Sequence, residues 1–257
     1  MRRMARIFRN NGKSVVVAMD HGMGLSVLPD LNKTGEILKA VSRGGADAIL
    51  TSLGIARRYE SELKNLGLIL RIDGGSSMLG KSGSASLLFA LEEAVKLGAD
   101  AVACMGFLGT ELEKETLKNI AFLASRCREW GVPLMAEMLP GGFGPEPAKT
   151  VETISLACRI GAELGADIIK TTYVGSPDEF ADIVAGCFVP VLVLGGSKTS
   201  DSSGLFNDIE NAVKAGGAGV AIGRNVWKHP SPARYTDALV KLVHQGKTAA
   251  DALRVIA

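Results

Sequence analysis

Gly44-Gly45-Ala46-Asp47-Ala48-Ile49, Leu97-Gly98-Ala99-Asp100-Ala101-Val102, Leu164-Gly165-Ala166-Asp167-Ile168-Ile169 and Ala215-Gly216-Gly217-Ala218-Gly219-Val220 are four variants of one phrase. Each follows a stretch of helical periodicity and leads into a short apolar run. The physical reading is a helix ended by a C-terminal glycine, a tight turn, and entry into a buried strand. Its recurrence points to one supersecondary unit used repeatedly.

Working outward from these phrases, β-rich apolar runs bounded by turn residues fall at 14–19, 46–51, 68–72, 99–105, 132–138, 166–171, 189–194 and 219–222, eight in all. Strands alternating with helices make a parallel sheet. A chain of 257 residues, 47% of them hydrophobic, fits one (β/α)8 TIM barrel of class α/β as a single domain over 1–257. A doubly wound open sheet alternates in the same way, but its glycine fingerprint opens a helix after the first strand. Here Asp20-His21-Gly22-Met23-Gly24 runs on into Leu25 and Pro29 as a loop.

Charge excludes some functions. The formal net charge is +2 with no long basic run, so no nucleic-acid partner is expected. Apolar stretches such as 166–169 and 189–194 are far shorter than the ~20 residues that span a bilayer, so no membrane partner is expected either. The basic start Met1-Arg2-Arg3 lacks the apolar run of a secretory signal, and a cytoplasmic location is the expectation. The cysteines, Cys104, Cys127, Cys158 and Cys187, are widely spaced and read as reduced, buried small hydrophobes.

In a barrel of this kind the chemistry sits at the C-terminal ends of the strands. Those ends are unusually polar here: Asp20-His21 after the first, Asp73-Gly74-Gly75-Ser76 after the third, Glu137 on the fifth, Lys170 on the sixth, Gly195-Gly196-Ser197-Lys198 after the seventh and Gly223-Arg224-Asn225 after the eighth. By strand alternation Lys170 shares the inward direction of Ile168. Burial disfavours an ammonium and frees an amine to attack a carbonyl, which a Schiff-base lysine requires. The same place also suits a lysine snorkelling to water or paired structurally with Glu137 or Asp20. Gly195, Gly196, Ser197, Gly223 and Arg224 occupy the seventh and eighth loops, where barrels often bind phosphate: glycines let backbone N–H groups approach the anion and Arg224 supplies a charged fork. Two ordinary glycine turns would read alike.

Asp20-His21-Gly22, Ile169-Lys170-Thr171-Thr172-Tyr173-Val174-Gly175, the run from Pro190 through Gly196 with Ser197-Lys198, and Ile222-Gly223-Arg224-Asn225-Val226-Trp227 together resemble the archaeal-type class I fructose-bisphosphate aldolase family, almost end to end. The wider group includes deoxyribose-phosphate aldolases, aminodideoxyheptulosonate synthases and autoinducer-2 phosphate thiolases. The resemblance implies a Schiff base on Lys170, proton transfer assisted by Asp20, and a phosphate cradle of Gly196, Ser197, Gly223 and Arg224, with no metal or other cofactor. His21 then either supports Asp20 or touches substrate, Glu137 is an inward-facing acid or a structural partner of Lys170, and Tyr173 packs or supports the site from behind without acting as a catalyst.

One residue departs from the pattern. Aldolases and heptulosonate synthases of this family carry a general-acid tyrosine just before a proline after strand five, where this chain reads Glu137-Met138-Leu139-Pro140. Leu139 transfers no proton, so Asp20, Glu137 or a water would carry that traffic. The thiolase branch also lacks the tyrosine. The leading expectation is therefore a class I aldolase acting on a small phosphorylated carbonyl compound. Its alternatives are a thiolase transferring an acyl group to coenzyme A and a non-catalytic phosphosugar-binding protein. A homo-oligomer is expected, with a C-terminal apolar stripe, Ala238, Leu239, Leu242 and Val243, that mostly packs on the barrel.

Overall fold

The computed structural model describes residues 2–23, 29–74, 77, 85–144, 148–196 and 202–256. Eight parallel strands close into a barrel: β1 Ser14–Ala18, β2 Ala48–Thr51, β3 Gly67–Arg71, β4 Ala101–Gly106, β5 Leu134–Met138, β6 Ile168–Thr171, β7 Val191–Leu194 and β8 Gly219–Ile222. Each strand pairs with its neighbours in sequence, and β8 returns to β1 with Val16 opposite Ala221. Beyond β3, Asp73–Gly74 and Ser86–Leu87 form a small antiparallel ladder on the same side as the strand ends.

The expected strand order holds, with shifted ends. β2, β4 and β6 begin at Ala48, Ala101 and Ile168, two residues after the expected starts, because the Ala-Asp of each repeated phrase belongs to the turn. The aspartate side chains explain why. Asp47 Oδ2 accepts from the Val15 amide at 2.7 Å, Asp100 Oδ2 from Leu68 at 2.9 Å and Asp167 Oδ2 from Leu134 at 2.9 Å, so each satisfies an N–H at the start of the preceding strand. β5 and β7 likewise start two residues late, at Leu134 and Val191, and β3 runs Gly67–Arg71 instead of 68–72.

The fourth phrase follows the same backbone path without the carboxylate. Gly217 N–H donates to Ala212 as Ala46 N–H donates to Val41, which puts Ala218 in the place of Asp47. Gly219 then enters β8 with φ +114°, where a Cβ would lie 2.0 Å from the Ser14 carbonyl oxygen, so only glycine lets β8 close on β1.

Alternation sorts the side chains. Val16 and Ala18, Ala48 and Leu50, Ile69, Ala101 and Ala103, Met135, Ile168, Leu192 and Ala221 point inward and fill the barrel, while Ile7, buried among them with Met4 and Phe8 alongside, plugs the N-terminal end. The opposite faces of the strands meet the helices in a larger cluster. The C-terminal stripe lies on helix Pro232–Gln245, and Ala238, Leu239, Leu242 and Val243 are all buried in that cluster, so it serves the fold and offers no contact face. Among the described residues no helix is long and apolar enough to cross a membrane. All four cysteines are buried.

Candidate active site

The inward parity that fills the barrel with apolar residues continues, at the C-terminal ends, into charged ones. Arg71 follows Ile69 on β3, Glu137 follows Met135 on β5, Lys170 follows Ile168 on β6, and Asp20 follows Ala18 beyond β1. Glu137 and Lys170 are register partners on adjacent strands, which brings Lys170 Nζ to 2.8 Å from Glu137 Oε1. Arg71 lies opposite Ala103, whose small side chain leaves room for a guanidinium. That guanidinium is 2% exposed and spends each of its nitrogens on a carboxylate: Nε on Asp20 Oδ2 at 2.9 Å, Nη1 on Asp73 Oδ1 at 3.3 Å, and Nη2 on Glu137 Oε2. The second oxygen of Asp73 accepts the Met105 amide at 2.6 Å.

Electrostatics favours the ionised forms of Asp20, Glu137 and Arg71. Burial works against the Asp20 carboxylate, but Arg71, Lys170 and His21 outweigh it and bring its pKa down to about 2. Burial likewise opposes the Glu137 carboxylate, and Lys170 and Arg71 hold its pKa below the usual range. Asp73 goes the other way, because burial prevails over Arg71 and the Met105 amide and raises its pKa. Despite burial, the three surrounding carboxylates hold Arg71 firmly cationic.

His21 opens a short 3-10 turn, His21–Met23, beside this cluster. Its Nδ1 stands 3.6 Å from Asp20 Oδ1, too far for a hydrogen bond, and is buried without a hydrogen-bond partner among the described residues. Burial lowers the pKa of the ring, Asp20 opposes that shift, and Lys170 and Arg224 add to it. The imidazole meets Trp227 edge-on at 5.5 Å, and the Trp227 indole N–H donates to the Ala18 carbonyl at 3.1 Å. Gly223 lies under the same ring: a Cβ there would sit 2.4 Å from the Ala18 oxygen and 2.5 Å from His21 Cε1.

The loops after β7 and β8 are tied together, since Asn225 Nδ2 donates to the Gly195 carbonyl at 2.9 Å. Arg224 starts the short helix Arg224–Trp227, half-buried, with its Nε buried and without a hydrogen-bond partner among the described residues. Gly196 has φ +60° and open space where a side chain would be. Ser197 lies outside the described residues. Asp20, His21, Glu137 and Lys170 therefore converge at one end of the barrel, with Gly195, Gly196, Gly223 and Arg224 in the adjoining loops. Tyr173 packs on Phe180 at 4.9 Å between ring centres. Leu139 is buried with Ala85 and Phe107, so the place after β5 is apolar. Among the described residues no group of three or more His, Cys, Asp or Glu is arranged to hold a metal ion.

Sequence reasoning missed Arg71. It sits inside the run 68–72, whose hydropathy reads as one continuous buried strand. The available signal was a charged residue at an inward position of such a strand.

The family model for DeoC/LacD family aldolases matches residues 14–229, from the start of β1 to just past Arg224. The chain belongs to the DeoC/LacD aldolase family. It is 36% identical over 247 residues to the 2-amino-3,7-dideoxy-D-threo-hept-6-ulosonate synthase 1 of Archaeoglobus fulgidus, covering 95% of this chain and 90% of that one. It is also 34% identical over 254 residues to the 3-hydroxy-5-phosphonooxypentane-2,4-dione thiolase of Yersinia pseudotuberculosis, covering 98% and 85%. Among solved structures it matches an archaeal fructose-1,6-bisphosphate aldolase with its catalytic lysine covalently bound to the carbinolamine intermediate of the substrate. That match has a TM-score of 0.84 at 31% identity, over 94% of this chain and 98% of that one. This member of the DeoC/LacD family is thus an aldolase-type enzyme built on a (β/α)8 barrel.

Proposed function

We propose that the protein is a class I aldolase that cleaves or forms a carbon–carbon bond in a small phosphorylated ketose- or aldose-type substrate through a Schiff base on Lys170. The observation that carries this reading is the buried contact of Lys170 Nζ with Glu137 Oε1 at 2.8 Å, beside a second carboxylate, Asp20. Glu137 takes a proton from the ammonium, and the freed amine adds to the substrate carbonyl to give a carbinolamine. Loss of water, with Glu137 returning its proton to the departing oxygen, leaves an iminium whose positive nitrogen draws the electrons of the breaking carbon–carbon bond. The regenerated carboxylate takes the hydroxyl proton of the departing carbonyl fragment, and an enamine stays on Lys170. Asp20, held anionic, assists the proton transfers around the carbinolamine and stabilises the iminium cation. The Nε of Arg224, without a hydrogen-bond partner among the described residues and beside glycine loops after β7 and β8, supports a phosphate anchor.

The test is borohydride reduction with a panel of phosphorylated ketones and aldehydes, followed by mass mapping. A stable adduct on Lys170 is expected in the wild type, stronger with phosphorylated than with dephosphorylated compounds, and none in Lys170→Met, whose apolar chain suits a buried strand end. An adduct on another lysine, or turnover at the wild-type rate in Lys170→Met, refutes the assignment.

A second reading is favoured by one observation, the buried Leu139 in the place after β5. With no phenol there, the same imine-forming barrel suits transfer of an acyl group to a thiol such as coenzyme A. Formation of acyl-coenzyme A from a phosphorylated diketone, without aldol cleavage of ketose phosphates, would select it.

A further inference from the structure

The three carboxylates around Arg71 raise a problem that the imine chemistry alone does not solve. Carboxylates crowded in a buried pocket repel, and such a pair ordinarily shares one proton. A protonated Glu137 could not take a proton from Lys170. Arg71 removes the conflict by geometry. Its Nε and Nη2 form one edge of the guanidinium, and that edge carries Asp20 and Glu137 side by side, while Asp73 takes Nη1. Each carboxylate spends one oxygen on Arg71. Glu137 turns the other to Lys170, and the other oxygen of Asp20 faces His21 at 3.6 Å. Because its nitrogens are engaged in this way, Arg71 is not an anchor for substrate phosphate.

We propose that Arg71 is the positioning residue of the site: it holds Asp20 and Glu137 together as anions and keeps one oxygen of each free for the proton transfers of imine formation at Lys170. This inference rests on the proposed Schiff base and goes beyond it by assigning a task to a residue whose nitrogens all bond to carboxylates. Among the described residues, the charged and titratable groups that face the cluster are Asp20 and His21 beyond β1, Asp73 beyond β3, Glu137 on β5, Lys170 on β6 and Arg224 beyond β8, with the Cys104 thiol behind it on the outer face of β4. The lowered pKa of both Asp20 and Glu137 agrees with the geometry.

The experiment uses a phosphorylated ketone that traps on Lys170 of the wild type and follows the rate of cyanoborohydride trapping from about pH 4 to about pH 9. Two variants are compared with wild type. Arg71→Lys keeps the charge and loses the fork. Arg71→Met/Asp73→Asn removes one cation and one anion, so the pocket keeps its net charge and its chance of folding. The expected result is that the acid limb of the rate profile moves up by about 1–3 pH units in the double variant and by less in Arg71→Lys, with the adduct still on Lys170. KM for the ketone should change less than the trapping rate. An acid limb that stays in place in both variants, whatever the loss of rate, overturns the proposal. Loss of the folded state in both does so too, since Arg71 would then serve the fold. Absence of a wild-type adduct on Lys170 is a different failure, that of the Schiff-base reading itself.

Discussion

Asp20 links the chemistry of the site to the acid stability of the protein. Its pKa in the folded state, about 2, lies below its ordinary value of 3.8. A carboxylate depressed in this way contributes stability that is fully present above the unfolded value and is lost as pH falls through the folded one. The contribution is on the order of 2 kcal/mol and disappears between about pH 4 and pH 2. Asp73 partly offsets it, because a carboxyl with a raised folded pKa favours the folded state as it gains its proton. Asp20→Asn should therefore melt lower at neutral pH and lose less stability than wild type over that acid window. Thermal melts at stepped pH check this, and parallel acid slopes in the two proteins would sink it. The same residues show what a sequence reveals at this scale. Asp20, Glu137 and Lys170 were legible because they end strands whose inward parity could be counted. Arg71 was not, because its meaning depends on three carboxylates from three other positions meeting in one layer, and a charge within an apolar run carries no hint of them.

The four glycine phrases marked a repeated β/α unit and the eight apolar runs gave its number, since a helix end and a strand start each leave a local mark. The phrases did not give the strand boundaries. Ala-Asp before β2, β4 and β6 reads as the first step of an apolar strand, yet the aspartate turns aside to bind an amide of the preceding strand. That bond is tertiary, so no local pattern announces it. Asp100 and Asp167 serve these turns at the end of the barrel away from Lys170, and substituting either by alanine should cost about 1–2 kcal/mol through the unpaired amide. Asp47 carries more: it also binds Arg9 Nε, at 2.5 Å, and His244 Nε2, at 2.8 Å. Asp47→Ala should lower the urea midpoint more than Asp100→Ala or Asp167→Ala, while all three keep the wild-type trapping rate. Equal midpoints for the three, or a trapping defect in Asp100→Ala, would show that the two ends of the strands are not divided in this way.

At the scale of the whole molecule, the barrel has a packed end and a reactive end, and layers of inward side chains separate them. Ile7 closes the packed end: it is fully buried against the interior residues, and its carbonyl accepts the Ser14 hydroxyl at 2.7 Å. From there, apolar residues such as Val16, Ala101, Met135 and Ile168 lead up to the charged layer of Asp20, Arg71, Glu137 and Lys170. Close packing transmits strain, so a cavity at the plug tests how far the reactive end depends on the packed one. Ile7→Ala removes buried methyl groups where the surrounding strands are hydrogen-bonded into a closed ring and cannot collapse inward, which places its cost at about 2–4 kcal/mol. At roughly 2–4 °C per kcal/mol for a chain of this size, the melting temperature should fall by several degrees or more. The charged layer is held by its own ion pairs, so imine trapping on Lys170 at room temperature should keep its wild-type rate and pH profile. A shifted acid limb in Ile7→Ala would mean that the plug, and not Arg71 alone, sets the positions of Asp20 and Glu137.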